Sequence, residues 1–105
     1  MKEVKNQKEL AEIIAQDKPV LLDFYADWCG PCQTMLPILD EVSEDLIGKA
    51  EVVKVNIDTN RELARAFGVR SIPALFFLKN EEIVDRLNGL QPKQLLMGKL
   101  KALAA

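Results

Sequence analysis

The 105 residues predict an α/β fold: one domain spanning residues 1–105, with a central mixed β-sheet flanked by helices on both faces. Strand-like apolar runs alternate with helical stripes in the order βαβαβαββα, and strand-helix-strand crossovers make parallel neighbours. Only a short polar break separates the last two strands, so they pair antiparallel and the sheet is mixed. The length suits one hydrophobic core and leaves no room for a second, cofactor-binding domain.

A short strand is expected around Glu3 to Lys5. Asn6 and Glu9 then have the spacing of a capping box. Leu10, Ala11, Ile13 and Ile14 follow on one side of a helix ending near Asp17-Lys18-Pro19. Val20 to Ala26 is apolar on both alternating faces except at Asp23, the pattern of a central strand covered on both sides. A carboxylate there is either desolvated, with a raised pKa, or reaches solvent where the strand frays. From Cys32 a helical stripe runs through Met35, Leu36, Leu39, Val42 and Leu46 to Gly48, with Pro37 inside it to kink the axis. Val52, Val53, Val55 and Ile57 form another buried strand. Lys54 interrupts it, as lysines that snorkel from an exposed edge do.

Thr59 and Glu62 repeat the capping-box spacing before a short helix of Leu63, Ala64, Ala66 and Phe67, stopped by Gly68. Ile72-Pro73 opens the next strand, Ala74 to Leu78, and base rates favour a trans bond before the proline. Ile83 to Leu87 completes a hairpin. Gly89 precedes Gln91-Pro92, with Pro92 suited to a first helical turn, and Leu95, Leu96, Leu100 and Leu103 stripe the last helix.

A composition of 49% hydrophobic and 29% charged residues is that of a soluble globular chain, and a net charge of -2 gives no basic footprint for nucleic acid. The N-terminal ten residues lack the apolar stretch of a secretory signal, and no apolar run approaches the roughly 20 residues of a membrane helix. A cytoplasmic monomer without nucleic-acid or membrane partners is expected. No glycine-rich dinucleotide fingerprint is present, and no cofactor is expected.

The chemistry concentrates in Trp28-Cys29-Gly30-Pro31-Cys32, which holds the only two cysteines and follows the central strand directly. Two intervening residues let a strand-to-helix turn bring both sulfurs to a helix N-terminus, where free N–H groups and the macrodipole favour a thiolate. A cysteine at its reference pKa of about 8.5 is only a few per cent ionised at pH 7, so lowering that value raises the reactive fraction severalfold. Cys29 then attacks and Cys32 resolves. A structural zinc site needs about four nitrogen or sulfur ligands, and the chain has two Cys and no His. A purely structural disulfide closing so short a loop contributes roughly 2 kcal/mol, against about 3 for a loop of 15 residues. Inert core thiols fit poorly with Gly30 and Pro31 between them.

The pentapeptide, with Leu22 to Ala26 before it and Ile72-Pro73 after it, resembles the thioredoxin family over nearly the whole chain. The resemblance implies a thioredoxin fold and reduction of disulfide-containing protein substrates through a mixed disulfide, with a separate thioredoxin reductase as electron donor. It implies that Asp23 lies beneath Cys32 and assists its deprotonation, and that Lys54 tunes Asp23. It also implies a cis bond before Pro73 and a substrate groove of Trp28, Gly30, Pro31, Ile72, Pro73, Gly89 and Leu90. Two positions depart from the family pattern: Ala74 replaces a threonine, and Asn80-Glu81 replaces Asn-Gly, which points to a hairpin loop longer than two residues.

Gly30-Pro31 adds no positive charge and the chain has no histidine, so reduction is favoured over oxidation or isomerisation. A non-redox binding subunit with the same groove, and an oxidant or isomerase acting outside the cytosol, are the competing functions.

Overall fold

The chain, described over residues 1–105 by a computed structural model, runs β1 (Lys2–Glu3), α1 (Gln7–Ile14), β2 (Val20–Tyr25), α2 (Gly30–Asp45), β3 (Glu51–Asn56), α3 (Arg61–Ala66), β4 (Ala74–Lys79), β5 (Glu82–Asn88) and α4 (Lys93–Ala104). The five strands form one sheet in the order β1-β3-β2-β4-β5. β3 lies parallel to both β1 and β2, while β4 runs antiparallel to β2 and to β5. This is the mixed α/β sheet expected.

Side-chain alternation sorts the core into two layers. Leu22 and Phe24 of β2 join Val53, Val55, Phe76 and Leu78 on one face, where Leu10 and Ile13 of α1 and Leu63 of α3 cover them. Leu21 joins Val52, Leu75 and Phe77 on the other face, under Met35, Leu39 and Val42 of α2 and Leu96 and Leu100 of α4. Every residue of β2 is buried, as its run of apolar residues demands at the centre of a sheet covered on both sides. On the α1 and α3 face, Phe24, Phe67 and Phe76 pack with ring centroids 5.1 to 5.5 Å apart. Tilted and edge-on pairs of this kind are worth about 0.5–1.5 kcal/mol each beyond their burial.

Helix starts follow local chemistry, with two corrections to the sequence expectation. At α1 the Asn6 side chain accepts from the Glu9 N–H at 2.9 Å, as a cap should, but the Glu9 carboxylate accepts from Lys5 and not from Asn6 itself. The second expected capping box does not form. Asn60, not Thr59, is the N-cap of α3, and it makes no side-chain cap bond. Its amide instead donates to the Asn56 carbonyl at 3.1 Å, and the Thr59 hydroxyl is directed to that same carbonyl. The turn that carries the chain out of β3 has claimed both side chains.

The hairpin loop is also corrected. Lys79 pairs with Glu82, so Asn80 and Glu81 alone make the turn, with φ of 53° and 66°. Positive φ at both central residues is the signature of a type I′ turn, whose twist matches that of the strands it joins. Sheet twist has imposed the tight turn despite a glutamate where glycine would relax it. A bulge between Phe77 and Leu78 absorbs one residue of β5.

Candidate functional site

Strand polarity gathers the site. β2 ends at Tyr25, and Trp28 to Cys32 follow it directly into α2. Because β4 is antiparallel to β2, with Phe24 opposite Ala74, the start of β4 lies beside the end of β2, bringing Ile72-Pro73 to the same edge. β5 returns antiparallel, Ala74 opposite Asn88, and delivers Gly89 there as well. The Gly89 N–H donates to the Pro73 carbonyl at 2.9 Å, and Gly89 turns with a φ of 78°. The Ile72-Pro73 bond is cis, as the resemblance implied and base rates did not.

Cys29 and Cys32 are joined in a disulfide with Cα atoms 5.2 Å apart. Cys29 occupies the N-cap of α2, and its Sγ accepts from the Cys32 N–H at 3.2 Å. The helix therefore directs a free N–H at this sulfur, the arrangement that stabilises a thiolate. Cys29 keeps a small solvent-facing surface, 6% exposed, while Cys32 has none. Pro31 sits in the first turn, where its missing N–H costs nothing. Gly30 has open space where a Cβ would stand. The Ile72 carbonyl oxygen lies 3.9 Å from the Cys29 sulfur.

Around this edge the surface is flat and partly apolar. Trp28 is 70% exposed and Leu90 is 52% exposed. The largest cavity, about 510 Å³, lies at the far end of the sheet, lined by Pro19, Lys49 and Lys79 among others, and no cavity opens at the cysteines. Asp58 is a site residue that the sequence did not reveal. Its carboxylate accepts from the Trp28 indole N–H at 2.9 Å, and its own N–H donates to the Asn56 side chain at 2.8 Å. Thirty positions separate Trp28 from Asp58, and the Asp58-Thr59-Asn60 run reads only as a turn.

Asp23 is fully buried and neither of its carboxylate oxygens has a hydrogen-bond partner. It shares the face of Leu21 and Tyr25, the face that α2 covers; Tyr25 packs with both cysteines. Burial pushes its pKa up from 3.8 to about 7, against the opposing pull of Lys54. Lys54 stands directly opposite on β3, an interior strand rather than the exposed edge expected of a snorkelling lysine. Its ammonium lies 5.2 Å from the centre of the Tyr25 ring. Nowhere do three His, Cys, Asp or Glu side chains group as a metal site would require.

The thioredoxin family model matches residues 1–102. A thioredoxin of Rickettsia felis is 48% identical over 86 residues, 82% of each chain. Thioredoxin 2 of Chlorobaculum tepidum is 41% identical over 98 residues, 93% of this chain and 90% of the other. Among solved structures, a mutant thioredoxin from Halobacterium salinarum superposes with a TM-score of 0.93 at 36% identity, covering 99% of this chain and 90% of that one. With a paired Cys29 and Cys32 at a helix tip on this fold, the chain belongs to the thioredoxin family and is a thiol-disulfide oxidoreductase of the protein-disulfide reductase type.

Proposed function

We propose that the chain reduces protein disulfides in the cytoplasm as a monomer, with Cys29 as nucleophile, Cys32 as resolving thiol and a thioredoxin reductase as electron donor. The observation that carries this reading is the Cys32 N–H directed at the Cys29 sulfur on the tip of α2. In the reduced protein the Cys29 thiolate attacks one sulfur of a substrate disulfide, and the other substrate sulfur leaves as a thiolate. Cys32 then gives its proton to Asp23 and attacks the Cys29 sulfur of the mixed disulfide. The substrate sulfur held in the mixed disulfide leaves as a thiolate, so two electrons have passed to the substrate and the Cys29–Cys32 disulfide remains.

Asp23 suits the acceptor role because a carboxyl with a pKa of about 7 can take and release a proton at neutral pH. Lys54 supplies the opposing charge that keeps this value from climbing further. Trp28, Gly30, Pro31, Ile72, Pro73, Gly89 and Leu90 form the docking surface. Its flatness and exposed Trp28 and Leu90 support contact with varied extended segments. The gathered edge of the sheet and the open space at Gly30 support the same role.

Insulin reduction driven by dithiothreitol tests the assignment. Cys32→Ser accumulates mixed disulfides with protein substrates and Cys29→Ser does not, while both lose turnover. Trapping by Cys29→Ser alone reverses the two roles, and turnover retained by both variants removes the redox reading.

A further inference from the structure

Asp23 has a second carboxylate in its row of the sheet. In the pairing of β1 with β3, Glu3 stands opposite Lys54, and in the pairing of β3 with β2, Lys54 stands opposite Asp23. The order across three strands is Glu3, Lys54, Asp23, and residues in register across parallel strands present their side chains to one face. One ammonium thus lies between two carboxylates, one half-buried near the sheet edge and one fully buried. The next residue in the row is Leu75 of β4, which carries no charge.

Lys54 forms no contact ion pair with either carboxylate; the chain's salt bridges all lie elsewhere. Its ammonium sits over the Tyr25 ring, 5.2 Å from the centroid, a cation–π seat. The Tyr25 hydroxyl faces Glu3, and burial followed by that carboxylate pushes the phenol up to about 12, with Asp27 adding to the rise and Asn56 opposing it. α2 buries Cys32, Met35, Leu39 and Val42, none of them a cation, and its Asp40 is taken by the N-terminal ammonium at 3.6 Å. α4 contributes Leu96 and Leu100, and its Lys93 is engaged with Glu41 and Asp45. Lys54 is therefore the one cation whose placement governs the buried carboxyl.

We propose that Glu3 is a positioning residue for the proton acceptor: standing beside Lys54 on the side away from Asp23, it competes for the ammonium and so limits the positive charge that reaches Asp23. This rests on the assignment of Asp23 as proton acceptor. Removal of the Glu3 charge frees the ammonium to move toward Asp23, which ionises more readily, so the acid limb of the Cys32 resolving step moves to lower pH. Glu3 thereby keeps the acceptor half-ionised near neutrality, where it both takes and returns a proton.

The test follows the carboxyl resonance of Asp23 through a pH titration of the oxidised full chain by NMR. Glu3→Gln lowers the Asp23 midpoint by roughly half a pH unit, Glu3→Asp stays near wild type, and Lys54→Met raises it. In the Lys54→Met background, Glu3→Gln moves the midpoint by less than half as much, because its action runs through the ammonium. An unmoved midpoint in Glu3→Gln, or an equal movement with and without Lys54, overturns the proposal. The underlying role of Asp23 is read separately, from the pH dependence of resolution in Asp23→Asn. A profile identical to wild type there refutes the proton acceptor while leaving the titration of Glu3→Gln to speak for the charge row.

Discussion

Asp23 puts a carboxyl where the sheet offers it no hydrogen bond, and the consequence for stability follows from its pKa. In the unfolded chain it titrates near 3.8 and in the folded chain near 7. Between these values the folded state holds the proton that the unfolded state has released, so stability falls as pH rises from about 4 to 7 and is level beyond. At 1.36 kcal/mol per pH unit the full loss is roughly 4 kcal/mol. Asp23→Asn, which carries no charge to bury, should flatten that slope and be the more stable protein at pH 8 by about 2–4 kcal/mol, read from urea denaturation at pH 4, 6 and 8. A variant that is less stable than wild type at pH 8 contradicts the desolvated carboxylate. The same variant should resolve mixed disulfides more slowly at pH 7. Asp23 was legible because it breaks an apolar run, and Lys54 because it breaks another. Glu3 was not legible, since only the register of β1 against β3 sets it opposite Lys54.

At the scale of elements, the apolar runs of β2 and β4 were legible because burial on both faces leaves no alternative pattern, and the stripe of α2 because one face of it is buried. Turns and caps were less so, because several polar side chains compete there for the same backbone groups. Asn60 and Thr59 both reach the Asn56 carbonyl, and the helix after them starts one residue late and without a side-chain cap. Asn80-Glu81 shows the same limit: local preference argued for a longer loop, while the pairing of Lys79 with Glu82 closes it at two residues. Glu81 therefore holds a left-handed φ of 66°, a conformation that costs a residue with a Cβ about 1–2 kcal/mol and glycine nothing. Glu81→Gly should stabilise the chain by about 0.5–1 kcal/mol, part of the relief being offset by the greater freedom of glycine in the unfolded chain. The shift in urea midpoint checks it, and a destabilised variant would show that the Glu81 side chain makes a contribution its exposure does not suggest.

Across the whole molecule, one end of the sheet holds the chemistry while the two core layers run the length of the strands. A protein that cycles between disulfide and dithiol has to stay folded in both states, and the position of the cysteines permits this. The bond closes a loop only three positions apart in sequence, so by chain entropy it stabilises the fold by roughly 2 kcal/mol. Domains of this size have about 5–15 kcal/mol of stability in all, most of it from burial that lies outside the loop. The Cys29 sulfur also keeps its place as N-cap of α2 by accepting from the Cys32 N–H, a contact that does not need the covalent bond. Oxidised and reduced chains should therefore unfold in urea with the same m value, since they expose the same surface, and with midpoints separated by the equivalent of about 2 kcal/mol. A reduced chain with a much smaller m value, or one already unfolded without denaturant, would mark the bond as a structural clasp and contradict a catalyst that must release it in every turnover.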